Sequence, residues 1–193
     1  MMHKPHKQVS APSPWIQRWS HLIPSGTSVL DVACGSGRHL EWFARLGCKV
    51  TGVDRDLSGA RQLVPLARLI EADIENGLWP LARDGASEPE LFDAVVVTNY
   101  LWRPLMGTLM ASLAPGGVLL YETFAAGNET VGRPARPDFL LKNGELLDMC
   151  KDLHIVAYEN GFVDQPDRFV QRIAALRNFT PGAHSDAPAR YAL

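Results

Sequence analysis

One apolar segment that ends at an acid and turns at once into a helix constrains the fold of this 193-residue chain most strongly. Residues 29–43 read VLDVACGSGRHLEWF. The apolar run up to Asp31 predicts a strand, the Gly-Ser-Gly of residues 35–37 predicts a tight turn, and the residues from Arg38 predict a helix. Because glycine lets the backbone approach a bound molecule closely, this unit indicates a ligand site, although so short a glycine pattern is often only a turn.

Strands and helices are predicted to alternate along almost the whole chain. The predicted strands cover residues 27–31, 48–53, 68–71, 91–98, 118–124, 153–158 and 168–176, and the predicted helices begin near residues 14, 38, 57, 104 and 143. This alternation predicts an α/β fold with a doubly wound, mostly parallel, seven-stranded Rossmann-like sheet and helices on both faces. Asn160-Gly161 is expected to turn the chain into an antiparallel C-terminal edge hairpin.

Length and composition favour one domain. We expect a flexible N-terminal tail over residues 1–12, a single domain over 13–177 and a loose C-terminal tail over 178–193. The net charge of −2 disfavours a nucleic-acid partner. No apolar run is long enough for a membrane helix, and the N-terminus does not resemble a secretory signal. The three cysteines lack metal-like spacing, so we expect free thiols, no metal site and a cytoplasmic protein, whose oligomeric state the sequence does not indicate.

The acids around the glycine turn discriminate between two classes of nucleotide cofactor. Asp54 ends the second predicted strand, where a carboxylate can accept hydrogen bonds from both hydroxyls of a ribose. A nicotinamide dinucleotide is the first alternative, but its fingerprint needs a third glycine and position 40 is Leu. Asp31 would repel a pyrophosphate. S-adenosylmethionine carries a cation and no phosphate, so the residues favour this cofactor, with S-adenosylhomocysteine as its product.

Several motifs in the expected order resemble those of the class I S-adenosylmethionine-dependent methyltransferases. VLDVACGSG resembles motif I, FDAVVVTNYL resembles motif IV, and LAPGGVLLYET resembles the approach to the fifth strand. Ala33 stands where this family more often has glycine. The segments CGSGRHLEWFARLGCKVTGVDRD and FLLKNGELL are similar to the small tellurite-resistance-type branch. The resemblance covers residues 25–177 and implies an enzyme, a methyltransferase.

The resemblance implies a set of cofactor-binding residues at the ends of the first four strands. Asp31 is expected at the methionine part of the cofactor, Asp54 at the ribose and Asp73 at the adenine. The full set is Asp31, Ala33, Gly35, Gly37, Asp54, Arg55, Asp73, Ile74 and Asn99. Cys34 is expected to pack inside the turn rather than act as a nucleophile, since His39 only begins the helix.

The reacting groups are harder to assign, because the cofactor itself brings the methyl group and the protein mainly orients it. Asn99, Tyr100 and Tyr121 are the candidates for catalysis. The segment TFAAGNETVGRPARPDF is long and irregular, as lids and binding loops are. Its two arginines could clamp an anionic acceptor or could form a solvated pair. The candidate acceptor-binding residues are Trp102, Arg103, Arg133 and Arg136.

The predicted function is S-adenosylmethionine-dependent methyl transfer to a small-molecule acceptor, such as an anion, a thiol or a metalloid oxyanion. No membrane partner is expected. One alternative is an RNA or protein methyltransferase, whose target would dock on basic residues such as Arg133, Arg136 and Lys142. A second alternative is a non-catalytic module that binds S-adenosylmethionine as a sensor or scaffold.

Overall fold

One mixed β-sheet organises the described part of the chain. The computed structural model describes residues 10–82, 88–178 and 191–193, so most of both predicted tails, with residues 1–9 and 179–190, lies outside it. The strands are β1 (Ser28–Val32), β2 (Lys49–Asp54), β3 (Arg68–Glu71), β4 (Phe92–Thr98), β5 (Leu113–Phe124), β6 (Leu153–Val163) and β7 (Arg168–Arg177). They lie in the order β3-β2-β1-β4-β5-β7-β6.

The sheet is parallel from β1 to β5, and β7 pairs antiparallel with both β5 and β6. This arrangement confirms the predicted doubly wound sheet with an antiparallel C-terminal hairpin. In the described residues β4 is buried almost throughout, as expected of a central parallel strand that is covered on both faces. The carboxyl ends of β1 to β5 meet at one edge of the sheet, which is where ligands bind in such folds.

Short helices cover the two faces of the sheet. They are α1 (Pro14–Trp19), α2 (Arg38–Arg45), α3 (Ser58–Leu63), α4 (Met106–Ala111) and α5 (Glu145–Met149). Helix α1 begins where the sequence predicts, because the Ser13 hydroxyl accepts a hydrogen bond of 3.2 Å from the Trp15 backbone N–H and Pro14 occupies the first turn. One buried cluster includes side chains of α1 to α3, and a second includes side chains of α4 and α5. None of the described helices is long and apolar enough to cross a membrane.

The C-terminal hairpin turns later than expected. Asn160 and Gly161 lie inside β6, where they pair with Gln171 and Val170 of the neighbouring strand. The turn occupies residues 164–167, and Val163 pairs with Arg168 across it. The prediction of a turn at Asn160-Gly161 was therefore wrong. A turn at that position would have left the first residues of β7 without a partner on β6, and continued pairing satisfies their backbone groups.

The segment between β4 and β5 also differs from its prediction. The helix that was expected over residues 104–113 consists of a 3-10 turn at Arg103–Leu105 and then α4, and Leu113 already pairs with Phe92 in the sheet. The Pro-Gly-Gly of residues 115–117 lies inside β5, within a bulge where the pairing with β4 shifts register. A Cβ on Gly117 would stand 2.8 Å from the Ala114 carbonyl oxygen, so this bulge requires glycine.

Candidate functional site

The turn after β1 adopts an unusual backbone conformation. Ala33, Gly35 and Gly37 all have positive φ angles, of 53°, 53° and 85°. This region of backbone conformation favours glycine, which gives a physical reason for the family's preference at the position of Ala33. A Cβ on Gly37 would lie 3.1 Å from the Ala60 Cβ, so Gly37 allows the turn to pack against α3. A Cβ on Gly35 would meet no atom of the described residues within 4 Å, so this glycine faces open space.

Asp54 ties the end of β2 to this turn. Its Oδ2 accepts a hydrogen bond of 2.8 Å from the Gly35 backbone N–H, and its Oδ1 accepts one of 3.0 Å from the Asp56 N–H. Each carboxylate oxygen can accept a further hydrogen bond. Asp54 is partly exposed and lines a cavity, so it combines a structural role with free acceptor capacity.

That cavity, which we call the main cavity, has a volume of about 430 Å³ and lies beyond the ends of β1, β2 and β3. Its lining residues are Ala33, Asp54, Arg55, Ala72, Asp73, Ile74, Glu75, Asn76, Tyr100 and Phe139. The structure thus brings Ala33, Asp54, Arg55, Asp73 and Ile74, five of the expected cofactor residues, together around one space.

Asp73 is held by the chain that follows it. Its Oδ1 accepts hydrogen bonds from the backbone N–H groups of Glu75 and Asn76, and its Oδ2 accepts one from the Asn76 side-chain amide. The bond from the Asn76 side chain and that from the Glu75 backbone lower the pKa of the exposed Asp73 carboxyl, so Asp73 is ionised at neutral pH. These bonds orient an acceptor group towards the main cavity.

Asp31 lies deeper, at the end of β1. Its side chain is 1% exposed, and neither carboxyl oxygen has a hydrogen-bond partner among the described residues. Burial raises the pKa of Asp31 from 3.8 to about 8; Arg38 acts against this rise and Asp54 adds to it. A buried carboxyl without a partner is costly for a fold to keep, which makes it a candidate for binding a group that the chain does not supply.

His39 is buried beside Asp31, with its Nδ1 4.0 Å from the Asp31 Oδ2. The His39 Nε2 accepts a hydrogen bond of 3.1 Å from the Ser13 backbone N–H, so the ring proton is on Nδ1, which lies 3.4 Å from the Thr98 hydroxyl. Burial and the charge of Arg38 lower the pKa of His39 from 6.5 to about 3. His39 is therefore neutral and lies beside the Asp31 carboxyl without a hydrogen bond to it, a position that no sequence pattern indicated.

Glu122 is a second buried carboxylate, on β5. It is 0% exposed, accepts a hydrogen bond of 3.0 Å from the Ser13 hydroxyl, and pairs with Arg172 at 3.2 Å and Arg168 at 3.7 Å. Arg172 also pairs with Glu159 and lies over the ring of Trp15. These contacts fasten the start of α1 to the centre of the sheet. No sequence pattern indicates this network, because its members come from distant segments of the chain.

A smaller cavity of about 220 Å³, which we call the second cavity, lies beyond the ends of β4 and β5. Its lining residues are Glu75, Asn99, Tyr100, Leu101, Thr123, Phe124, Pro134 and Phe139, and it shares Glu75, Tyr100 and Phe139 with the main cavity. Asn99 has a positive φ of 54°. Tyr121 lies behind this wall, where it is buried and donates a hydrogen bond of 2.8 Å to the Tyr100 carbonyl.

None of the residues expected to bind the acceptor is among those that line the two cavities. Arg103 donates to both carboxylate oxygens of Glu145 and to the carbonyls of Asp138 and Leu140, so it fastens the loop that follows β5 to α5. Arg136 pairs with Asp138 at 3.0 Å on the surface.

Trp102 is half-buried, and Arg133 is exposed. Asp31, Gly35 and Gly37 also lie outside the cavity linings, since Asp31 is buried behind the turn that contains both glycines. Cys34 is buried, and burial raises the pKa of its thiol, so it has the character of a packed side chain. The described residues contain no group of three or more His, Cys, Asp or Glu side chains that could hold a metal ion.

Fold and site together define a Rossmann-like domain with an acid-lined cavity at the ends of its parallel strands. The sequence matches the family model described as a methyltransferase domain over residues 6–163. This chain belongs to that family, which confirms the resemblance noted from the motifs.

Two relatives of this chain are longer than it and differ in the group and the substrate that their names give. The chain is 29% identical over 160 residues to a tRNA U34 carboxymethyltransferase of Klebsiella pneumoniae, a match that covers 76% of this chain and 48% of that protein. It is 34% identical over 118 residues to a dTDP-3-amino-3,4,6-trideoxy-alpha-D-glucopyranose N,N-dimethyltransferase of Streptomyces venezuelae, covering 54% of this chain and 48% of that protein. The chain thus spans about half the length of these relatives.

Solved structures with a similar fold include further methyltransferases. The crystal structure of TehB from Haemophilus influenzae has a TM-score of 0.71 at 19% identity and covers 89% of this chain and 64% of that one. A second structure is that of the Burkholderia thailandensis 1,6-didemethyltoxoflavin-N1-methyltransferase with bound 1,6-didemethyltoxoflavin and S-adenosylhomocysteine. Its TM-score is 0.61 at 17% identity, and the match covers 86% of this chain and 77% of that one. At these identities the likeness establishes the fold.

Proposed function

We propose that this protein is an S-adenosylmethionine-dependent methyltransferase that acts on a small-molecule acceptor. The observation that carries the proposal is the buried Asp31 carboxyl, which has no hydrogen-bond partner among the described residues. It stands at the end of β1, beside the turn whose Ala33 lines the main cavity. A cationic ligand offers this carboxyl the partner that the described chain does not supply.

The residues present fit this cofactor. Asp31 suits the cationic amino group of the methionine part, and Gly35 leaves open space beside it because a Cβ there would meet nothing within 4 Å. Asp54 retains acceptor capacity for the ribose hydroxyls, with Arg55 beside it. Asp73 and Ile74 line the far part of the main cavity, where the adenine would lie. When bound, S-adenosylmethionine supplies an electrophilic methyl group.

The chain's own residues would orient the acceptor and exclude water from it. Tyr100 lines both cavities and Asn99 lines the second, so these two candidates lie where cofactor and acceptor would meet. Tyr121 supports this wall through its hydrogen bond to the Tyr100 carbonyl and does not line either cavity. In this arrangement Asn99 and Tyr100 are positioned to touch the reacting groups, and Tyr121 is a positioning residue.

The size of the second cavity supports a small acceptor. Its volume of about 220 Å³ is below the range of roughly 300–1,000 Å³ that is typical of pockets for drug-sized ligands. The relatives named above act on a tRNA and on an amino sugar, so the family by itself leaves the acceptor open. Arg133 and Arg136, the arginines expected to clamp an anion, are not among the residues that line either cavity, so the cavity linings give no support to an anionic acceptor.

Cofactor binding provides the first test. Calorimetric titration of the full-length protein with S-adenosylhomocysteine should show binding, and Asp54→Ala should weaken it by more than about tenfold without unfolding the protein. Asp164→Ala, in the exposed hairpin turn, removes the same charge from a residue outside both cavity linings and should leave the affinity unchanged. An unchanged affinity for Asp54→Ala would refute the ribose assignment. No binding by the unmodified protein would refute the proposed function.

The acceptor class is tested by transfer of a labelled methyl group. The protein and labelled S-adenosylmethionine are incubated with the RNA, protein and small-metabolite fractions of a cell extract. Label in the small-metabolite fraction supports our proposal. Label confined to RNA or protein would favour the first alternative, and cofactor binding without transfer to any fraction would favour a sensor or scaffold.

A further inference from the structure

The second cavity has an uneven distribution of charge. Among the described residues that line the second cavity, Glu75 is the one carboxylate, and none is Lys, Arg or His. The rest of the wall is aromatic, aliphatic or uncharged. An acceptor that entered as an anion would face the Glu75 carboxylate without any cation to balance its charge.

Two nearby arginines, Arg103 and Arg136, are already engaged with other groups. Arg103 makes two charge-assisted hydrogen bonds to Glu145, and its other donors bind two loop carbonyls. Arg136 lies 5.1 Å from the centre of the Phe139 ring and pairs with Asp138. These two arginines therefore stabilise the loop, and neither they nor the exposed Arg133 are among the residues that line the second cavity.

Aromatic groups stand beside the carboxylate. Tyr100 and Phe139 line both cavities together with Glu75. The Tyr100 hydroxyl is buried and lies beside the Glu75 carboxylate. Burial and this neighbouring carboxylate raise the pKa of Tyr100, so the hydroxyl stays protonated at neutral pH. A carboxylate beside aromatic rings is the combination that attracts amines and other organic cations.

Resting on the proposed function, we propose that the methyl acceptor is a small amine, whose nitrogen binds the Glu75 carboxylate beside the rings of Tyr100 and Phe139. This inference deepens the proposed function by naming the substrate class, and it replaces the anion, thiol and metalloid oxyanion with a nitrogen acceptor.

The transfer balances without a further reactant. The bound nitrogen loses one proton, which passes to solvent through the Glu75 carboxylate, and its freed lone pair forms the new N–CH₃ bond. The S–CH₃ bond of the cofactor breaks at the same time, and its electron pair stays on sulfur. The products are the N-methylated amine and S-adenosylhomocysteine. Glu75 and Tyr100 thus position the nitrogen, and the Glu75 carboxylate accepts its proton and passes it to solvent.

Four compounds that share a phenyl ring and differ in the polar group test this inference. Benzylamine, benzyl alcohol, phenylmethanethiol and benzoate are titrated into the full-length protein saturated with S-adenosylhomocysteine, and binding is followed by ligand-observed NMR. We expect benzylamine to bind about tenfold more tightly than each of the other three. Equal or tighter binding of benzoate, the thiol or the alcohol would overturn the proposal.

Matched variants assign the preference to one carboxylate. Glu75→Gln should remove most of the preference for benzylamine. Glu71→Gln removes the same charge from a residue that pairs with Arg61 outside both cavities, and it should keep the preference. If Glu75→Gln, folded by circular dichroism, retains the full preference, the proposal fails. Saturation with S-adenosylhomocysteine distinguishes the failure of the proposed function from the failure of this inference. If S-adenosylhomocysteine does not bind, the proposed function fails. If it binds, the titrations test only whether the acceptor is an amine.

Discussion

Two buried carboxylates in the same sheet have opposite surroundings. Asp31 on β1 and Glu122 on β5 are 1% and 0% exposed. Glu122 is surrounded by the Ser13 hydroxyl and two arginines. Asp31 has no hydrogen-bond partner among the described residues, its neighbour His39 is neutral, and the charge of Arg38 only partly offsets the effect of burial on its pKa. Burial alone therefore does not reveal the role of an acid.

The difference lies in what the described chain supplies. Around Glu122 the chain provides the compensating charges, so this carboxylate connects α1, β5 and β7. Around Asp31 the described residues leave the carboxyl oxygens free, and burial raises its pKa to about 8. A fold retains such a group at a cost in stability, and a cationic ligand offsets this cost when it binds. This contrast supports a structural role for Glu122 and the binding role that we propose for Asp31.

The largest expected effect comes from neutralising Glu122. Glu122→Gln should lower the free energy of unfolding by about 3 kcal/mol, because Arg168 and Arg172 lose a buried counter-charge. Urea denaturation measures this loss. Glu159 is the other partner of Arg172, and its side chain is 42% exposed. Glu159→Gln should therefore lower the free energy of unfolding by less than about 1 kcal/mol. Equal losses for the two variants would contradict the structural role of Glu122.

Neutralising Asp31 should affect binding instead. Asp31→Asn should weaken S-adenosylhomocysteine binding by about a hundredfold, because an amide cannot balance a buried cation. In the unmodified protein at pH 7 the raised pKa keeps Asp31 mostly protonated, so binding should release about one proton. Calorimetry in two buffers of different ionisation enthalpy measures this release. Binding of the unmodified protein without proton release would show that Asp31 is not the binding acid.

The same residue should determine how stability changes with pH. Since the folded pKa of Asp31 is raised, its contribution to stability is full below about pH 4 and is lost as the pH rises to about 8. The lowered pKa of His39 acts in the opposite direction between about pH 3 and 6.5. Of these two residues, only Asp31 should change the stability of the protein between pH 6.5 and 8.

In that window the ligand-free protein should lose up to about 1.4 kcal/mol of stability per pH unit, and Asp31→Asn should lose markedly less. Urea denaturation at pH 6.5, 7.2 and 8 measures the slope. Parallel slopes for the two proteins would exclude Asp31 as its source. Asp164→Asn, which changes an exposed acid, is the matched control and should keep the slope of the unmodified protein.

The smallest effect concerns the hydroxyl that connects α1 to Glu122. Ser13→Ala should cost about 1 kcal/mol, because it removes both the helix cap and one hydrogen bond of Glu122. Ser13→Asp separates these two roles in urea denaturation. An ordinary helix start tolerates Asp as a cap, but here the new carboxylate would face Glu122. If Ser13→Asp were as stable as the unmodified protein, Ser13 would be only a cap.

The well-predicted elements are those that depend on neighbouring residues. Strand β3 has the predicted bounds of Arg68–Glu71, and α1 begins at Pro14, as predicted. The glycine turn follows β1 as expected, because its positive φ angles are a local property of residues 33–37. The hairpin turn was misplaced, since the pairing between β6 and β7 decides where it falls and Asn160-Gly161 does not.

The site divides in the same way. Asp54 ends β2 and Asp73 lies two residues beyond β3, so their places beside the main cavity follow from the parallel order of the sheet. Arg103 illustrates the opposite case: its guanidinium is engaged by Glu145, 42 residues further along the chain. Ser13 reaches Glu122 across 109 residues, and no local pattern marks either residue as a partner of the other.

The sequence by itself determined the alternation of strands and helices, the glycine turn, the acids at the strand ends and the family to which these motifs belong. Only the tertiary structure decided which buried acid is balanced, where the loop arginines are engaged and which side chains line the second cavity. The physical reason is that backbone conformation and hydrophobic period are local properties, whereas charge compensation and cavity shape depend on residues that folding brings together from distant parts of the chain.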